Sequence, residues 1–265
     1  RPAFNPLIAH VAGIDAARAA GIFTDAAEKL AAVFWPGPLT LVLARQPDCQ
    51  VADLALAGLD TVAVRVPAHP VAHALLAAFG GPIVAPSANR SGHIPPTSAA
   101  HVLSDLRGRI DLIIDAGPCK VGVESTIVSC AGEPTLLRPG GLPRDAIERV
   151  LGGPLTIAPT DEEAPPAPGM LASHYAPKAL LRLDADDAQP GEALLAFGRG
   201  PDFAGPMLNL SPRRDLIEAA ANLFSHLRAL DASGAKRIAV MKVPHGGLGE
   251  AINDRLKRAA APREG

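Results

Sequence analysis

HPVAHALLAAFGGPIVAPSANRSG, residues 69–92, changes character twice. Residues 69–79 carry a helical pattern, and Gly80-Gly81 supplies a natural C-terminal stop. PIVA (82–85) then reads as a short, largely buried strand. The strand breaks off into Pro86, Ser87, Ala88, Asn89, Arg90, Ser91 and Gly92. Helix, strand and polar loop in that order suit an α/β sheet, whose ligands gather at strand carboxyl ends. Small hydroxyl and amide side chains let backbone N–H groups approach an oxyanion, and Arg90 can supply charge. The same residues also make an ordinary Ser/Asn-rich turn closed by capping hydrogen bonds, which is the commoner outcome for such a stretch taken alone.

Working outward, the alternation continues. LTLVLA (39–44), TVAVRV (61–66), DLIIDA (111–116) and STIVSC (125–130) read as strands. Helices are expected over 24–34, with Thr24 as N-cap, over 97–106 and over 143–153. This predicts an α/β domain over residues 1–153. Composition then shifts, and APTDEEAPPAPGMLASHYAP (158–177) is rich in proline and poor in large apolar residues. It reads as an extended linker, taken as 154–178. From 179 to 265 a second, smaller α/β domain is expected. Its strands are 179–183, 192–198 and 237–243. Its helix, 213–230, places Leu216, Ile217, Ala220, Leu223, Phe224, Leu227 and Leu230 on one stripe.

The 265 residues are 48% hydrophobic, so the chain is globular and has room for two domains. A net charge of −2 argues against a strongly basic nucleic-acid binder. No run of about 18 apolar residues occurs, so no transmembrane helix is expected. The three cysteines form no CxxC pair, which leaves a reducing cytoplasm as the default location. RPAFNPLIAH (1–10) has no initiator Met and no signal pattern, and is expected to continue a longer chain.

Several polar residues interrupt this apolar frame. Arg65 alternates with Val64 and Val66, so it points to the other face of its strand and needs an anionic partner, either a protein carboxylate or a ligand. Glu124, Ser125 and Thr126 stand in an apolar strand and must hydrogen-bond locally or face a ligand. Arg138 ends TLLR before Pro-Gly-Gly, as in an anion clamp or a surface hairpin. Arg1, Asn5 and His10 flank an apolar segment, and a lone histidine there is more often structural. Tyr175 in the linker either closes over the first domain or is incidental. His69 and His73 have helical metal-pair spacing, but no HExxH surrounds them, so an exposed helix start is the better reading. No P-loop and no GxGxxG follows a strand, and no metal ligand set is legible.

Together these segments resemble the YrdC-type L-threonylcarbamoyladenylate synthases, in the long branch with a second, C-terminal Sua-type domain. The resemblance rests on RPAFNPLIAH (1–10), WPGPLTLVL (35–43), TVAVRVP (61–67), APSANRSG (85–92), DLIIDAGPCKVGVESTIV (111–128), LLRPG (136–140), PGMLASHYAP (168–177) and GLGEAINDRLKRAA (247–260). It implies a YrdC-like twisted open mixed sheet with flanking helices, followed by a Rossmann-like α/β domain. It further implies a reaction in which L-threonine, bicarbonate and ATP, with Mg²⁺, give threonylcarbamoyl-AMP and pyrophosphate. A downstream tRNA threonylcarbamoyl transferase complex then consumes the product. By the same resemblance Arg1, Asn5, Thr61, Ser87, Asn89, Pro95, Arg138 and Tyr175 bind ATP, while His10, Arg65, Ala85 and Ser125 line the threonine pocket. The family also carries an upstream strand, a TxxYGL-type segment and a lysine before Arg1, so the chain is expected to be N-terminally truncated, with part of the sheet and site missing. Two other readings stay open. One is an RNA-binding module with weak tRNA affinity, which the net charge disfavours. The other is a carbamoyl-transfer domain like those of hydrogenase maturation proteins, which the HYAP linker and second domain disfavour.

Overall fold

The structure is a computed structural model that describes residues 5–158 and 175–262. In chain order the elements are β1 (Ile8–His10), α1 (Ile14–Ala20), β2 (Gly21–Ile22), α2 (Asp25–Phe34), β3 (Leu39–Arg45), α3 (Asp53–Leu56), β4 (Thr61–Arg65), α4 (Pro70–Phe79), β5 (Ile83–Ala85), α5 (Ala99–Leu106), β6 (Thr126–Ser129), β7 (Thr135–Arg138), α6 (Arg144–Leu151), β8 (Thr156–Ile157), β9 (Leu180–Ala185), β10 (Glu192–Ala196), β11 (Met207–Asn209), α7 (Leu216–Ala232), β12 (Arg237–Met241) and α8 (Leu248–Ala260). They form two compact units, residues 1–86 with 124–171, and residues 87–123 with 172–265.

The first unit is built on one mixed sheet of order β5-β1-β4-β3-β6-β7-β8, with β2 pairing β3. β1 runs parallel to β4, and β3 runs antiparallel to β4 but parallel to β6. Alternation decides the faces. Leu41, Leu43, Val62, Val64, Val66 and Val128 join Leu30 and Ala31 of α2 and Ile147 of α6 in the main core. The intervening residues Val42, Ala63 and Ile127 form a smaller cluster with Ile8. The local signals behave as their chemistry dictates. Thr24 Oγ1 accepts the Ala27 N–H at 3.3 Å, and Gly80 ends α4 at φ 74°. His69 is the N-cap of α4, its Nδ1 accepting the Val71 N–H at 3.3 Å, which gives it a capping role.

The second unit has a four-stranded parallel sheet of order β11-β10-β12-β9. α7 begins where Asp215 caps the Ile217 and Glu218 N–H groups, three residues later than the sequence suggested, and its buried residues include Leu223, Phe224, Leu227 and Leu230. Ile217 is 68% exposed and lies off the expected stripe. Segment 87–123, read from sequence as part of the first domain, packs in this unit. It places Ile94 and Val123 in the core with Leu223 and Phe224. A Cβ on Gly122 (φ 77°) would lie 2.0 Å from the Ala220 carbonyl oxygen, so the chain passes too close to α7 for any side chain.

The expected strand 111–116 does not form. Leu112 and Ile114 are 77% and 56% exposed, and Asp115 Oδ1 instead accepts the Gly117 N–H in a local turn. The run has strand composition but pairs with no ladder among the described residues, and a strand holds only where its backbone groups and one face are covered. Most of the expected linker, 159–174, lies outside the described residues, while Thr156–Ile157 at its start form β8.

Candidate active site

Five strands of the first unit bring polar side chains to one end of the sheet. Register aligns His10 of β1 with Arg65 of β4. Because Leu41 pairs with Val64 in the antiparallel ladder, Thr40 falls opposite Arg65. Ser125 immediately precedes β6, and Arg138 ends β7, paired with Ile127. By alternation Arg65, Thr40 and Ser125 share the face of Ala63, Val42 and Ile127, away from the main core.

Their contacts form a network. Thr40 Oγ1 and Ser125 Oγ are 2.7 Å apart and both residues are buried. Arg138 is 4% exposed and donates from Nη2 to the Ser125 carbonyl at 2.8 Å and to Ser125 Oγ at 3.3 Å. Arg65 Nε donates to the Gly37 carbonyl at 2.9 Å, and among the described residues no carboxylate pairs with it. Thr126 turns the other way, trading hydrogen bonds with Leu142 at 2.6 and 3.0 Å. The Glu124 carbonyl accepts the Gly141 N–H, and a Cβ on Gly140 would lie 2.4 Å from the Thr126 nitrogen. Of the three polar residues 124–126, Thr126 is therefore structural, while Ser125 belongs to the cluster.

Electrostatics sharpen the picture. Burial, and then the neighbouring Arg138 charge, pull the Arg65 guanidinium down to about 10. Burial, and then Arg65, push His10 down to about 4, so its imidazole is neutral at pH 7. His10 Nδ1 is buried with no hydrogen-bond partner among the described residues. Two guanidinium groups, a neutral imidazole and the buried hydroxyls of Thr40 and Ser125 thus gather at one end of the sheet. That set has the chemistry to pair with a small carboxylate bearing further polar groups.

The other residues singled out from sequence lie in several places. Asn5 is 8% exposed, with Oδ1 unpartnered among the described residues. Arg1 lies outside the described residues. Thr61 begins β4 four residues from Arg65, roughly 13 Å along the strand at 3.3 Å per residue. Ala85 is exposed on the edge strand β5, opposite Ile8. In the second unit, Ser87 is exposed, and Asn89 closes its own loop by donating to the Arg90 and His93 carbonyls at 2.9 and 3.0 Å. Asn89 Oδ1 is left buried without a partner among the described residues. Pro95 is buried. Tyr175, at φ 66°, is 1% exposed, stacked on Phe224 with centroids 5.6 Å apart and with the Arg255 guanidinium 5.2 Å from its ring centre. It is a core residue of this unit. Sequence reasoning passed over Thr40 and Gly37, both inside WPGPLT. Thr40 is a hydroxyl in an apolar strand, the same signal that drew attention to Ser125.

The family model described as "Telomere recombination" matches residues 1–140, and one described as "Threonylcarbamoyl-AMP synthase, C-terminal domain" matches 142–261. The chain is 40% identical to the threonylcarbamoyl-AMP synthase of Bacillus subtilis over 99% of its own length and 81% of that protein's. The chain belongs to the threonylcarbamoyl-AMP synthase family. It is 41% identical to the Pyrococcus abyssi member, covering 99% of this chain and 82% of that one. The crystal structure of P. abyssi Sua5 complexed with L-threonine matches with a TM-score of 0.90 and 39% identity, over 98% of this chain and 81% of that chain. The two-domain α/β architecture described above matches that of the P. abyssi structure.

Proposed function

We propose that this chain is an L-threonylcarbamoyladenylate synthase, converting L-threonine, bicarbonate and ATP to threonylcarbamoyl-AMP and pyrophosphate. The observation that carries the reading is Arg65, a mostly buried guanidinium with no carboxylate partner among the described residues, set beside His10, Ser125 and Arg138. Arg65 holds the threonine carboxylate. Neutral His10 and the Thr40–Ser125 hydroxyl pair offer hydrogen bonds to the amino acid's polar groups. Threonine nitrogen and bicarbonate combine to a carbamate with loss of water. A carbamate oxygen attacks the α-phosphorus, and the bond to the β-phosphate oxygen breaks to release pyrophosphate. No protein nucleophile is needed, because the work is alignment and charge neutralisation.

By the family resemblance Asn5, Thr61, Ser87, Asn89, Pro95 and Arg138 serve the nucleotide in this reading. Among the described residues no group of three or more His, Cys, Asp or Glu could hold a metal ion. Mg²⁺ accompanies ATP in this reading, bound chiefly through the phosphates, and no step here is routed through the ion. A tRNA threonylcarbamoyl transferase is the expected consumer of the product, in the cytoplasm. Among the described residues no helix is long and apolar enough to cross a membrane.

The test is pyrophosphate release from ATP. Release should require both threonine and bicarbonate, and omitting either should abolish it. Release indifferent to threonine would overturn the reading. Salt-sensitive tRNA binding without turnover would favour an RNA-binding module.

A further inference from the structure

The segment that carries the nucleotide loop, 87–123, is held by a helix of the C-terminal family domain. Arg228 lies in the C-terminal third of α7 with its side chain 15% exposed. Its Nε donates to the Pro95 carbonyl at 3.2 Å, and Nη2 donates to the Ile94 carbonyl. The same guanidinium reaches both oxygens of Asp105, at 2.7 and 3.5 Å. Ile94 itself is 4% exposed, in the core with Phe224. The Gly92 carbonyl accepts the Ala176 N–H at 3.0 Å. The loop is thus gripped at residues 92, 94 and 95, directly after Ser87 and Asn89.

We infer that Arg228 is a positioning residue for the ATP-binding loop, and that α7 thereby sets the enzyme's nucleotide affinity. This rests on the reading above that 87–95 serves the nucleotide. The physical argument is the shape of the group. A planar fork of five donors can hold two successive carbonyls and a carboxylate at once, whereas an ammonium cannot. A loop fixed before ATP arrives loses less freedom on binding, and the gain appears as affinity. Asp105 neutralises the guanidinium and aims it; the carbonyl contacts fix the loop. The threonine-binding residues His10, Arg65 and Ser125 belong to the other unit and take no part in this grip.

Three variants of the full chain separate positioning from mere stability. Arg228→Ala removes both the carbonyl grip and the ion pair. Arg228→Lys keeps the charge opposite Asp105 but cannot span both carbonyls. Asp105→Asn keeps the guanidinium on the carbonyls and removes the countercharge. The expected result is a rise in the KM for ATP on the order of tenfold for the Arg228 variants, with the threonine dissociation constant moved by less than about twofold. Asp105→Asn should stay near wild type for ATP even where its melting temperature falls. Asp105→Asn matching Arg228→Ala in ATP, or ATP and threonine constants moving together, or no change in either, would overturn the inference. Amide hydrogen exchange over residues 89–94 decides the point without any activity. It should quicken in Arg228→Ala and Arg228→Lys and much less in Asp105→Asn. Equal exchange in all three contradicts the positioning role. Wild-type protein that releases no threonine-dependent pyrophosphate would instead refute the proposed reaction, and the exchange result would still judge Arg228.

Discussion

The two units hold their least exposed arginines differently, although surface arginines such as Arg18 and Arg45 of the first unit also pair with carboxylates. In the second unit Arg228 faces Asp105 at 2.7 Å, Arg182 faces the buried Glu192 at 2.6 Å, and Arg255 lies against Asp254. Each charge has its countercharge inside the same unit, as burial demands. In the first unit Arg65 finds, among the described residues, the Gly37 carbonyl and no carboxylate, and Arg138 stands near enough to depress it further. Satisfied charges hold a fold together. A charge kept desolvated beside a like charge is tolerated where a ligand supplies the missing anion.

That contrast sets the mutational expectations. Arg65→Ala should lower kcat/KM for threonine by roughly a hundredfold or more, the usual penalty for truncating one partner of a buried hydrogen-bonded charge pair. Its melting temperature should hold or rise, because an uncompensated desolvated charge is gone. Arg228→Ala should do the reverse for stability, lowering it by about 3 kcal/mol in denaturant titration, since Asp105 is left largely buried and unpaired. If both variants destabilise equally, the two regions do not differ as described. Gly140→Ala sharpens the comparison from the backbone side. The added Cβ cannot fit beside Thr126, so Glu124–Thr126 must shift. Stability should fall by about 1–3 kcal/mol, and threonine affinity should fall with it. Thr40→Val removes one hydroxyl from the Thr40–Ser125 pair and should cost about 1 kcal/mol in unfolding experiments. The smallest effect at neutral pH concerns His10. Its folded value lies near 4, below the unfolded 6.5. The contribution to stability is therefore fully present above pH 6.5 and is lost as pH falls toward 4. His10→Gln should flatten the acid limb of a melting-temperature profile in that window and leave it unchanged at pH 8.

Much of this was legible in the chain. Thr24, Gly80 and the α/β alternation placed their elements because local chemistry decides caps and stops. Arg65 was legible as a misfit because period-2 alternation alone fixes the face on which it stands. Legibility failed where long-range pairing decides. DLIIDA has the composition of a strand, yet β-structure exists only with a partner, and none of the described strands takes it. Residues 87–123 fall within the family match over 1–140, as the sequence reads, yet the sequence cannot display that Arg228, over a hundred residues later, holds the Ile94 and Pro95 carbonyls. Tyr175 looked like linker because its neighbours are prolines. Its burial against Phe224 and Arg255 depends on residues 49 and 80 positions away. Thr40 was overlooked although its signal, a hydroxyl among aliphatics, was the one that exposed Ser125.

The central claim is that Arg65 waits for the carboxylate of threonine. Calorimetric titration of L-threonine into wild type, Arg65→Lys and Arg65→Ala, with melting temperatures taken on the same samples, tests it most directly. The account expects saturable binding by wild type, weakened binding by the lysine variant, and none measurable by the alanine variant, with no loss of melting temperature in either. Threonine affinity unchanged in Arg65→Ala would contradict it.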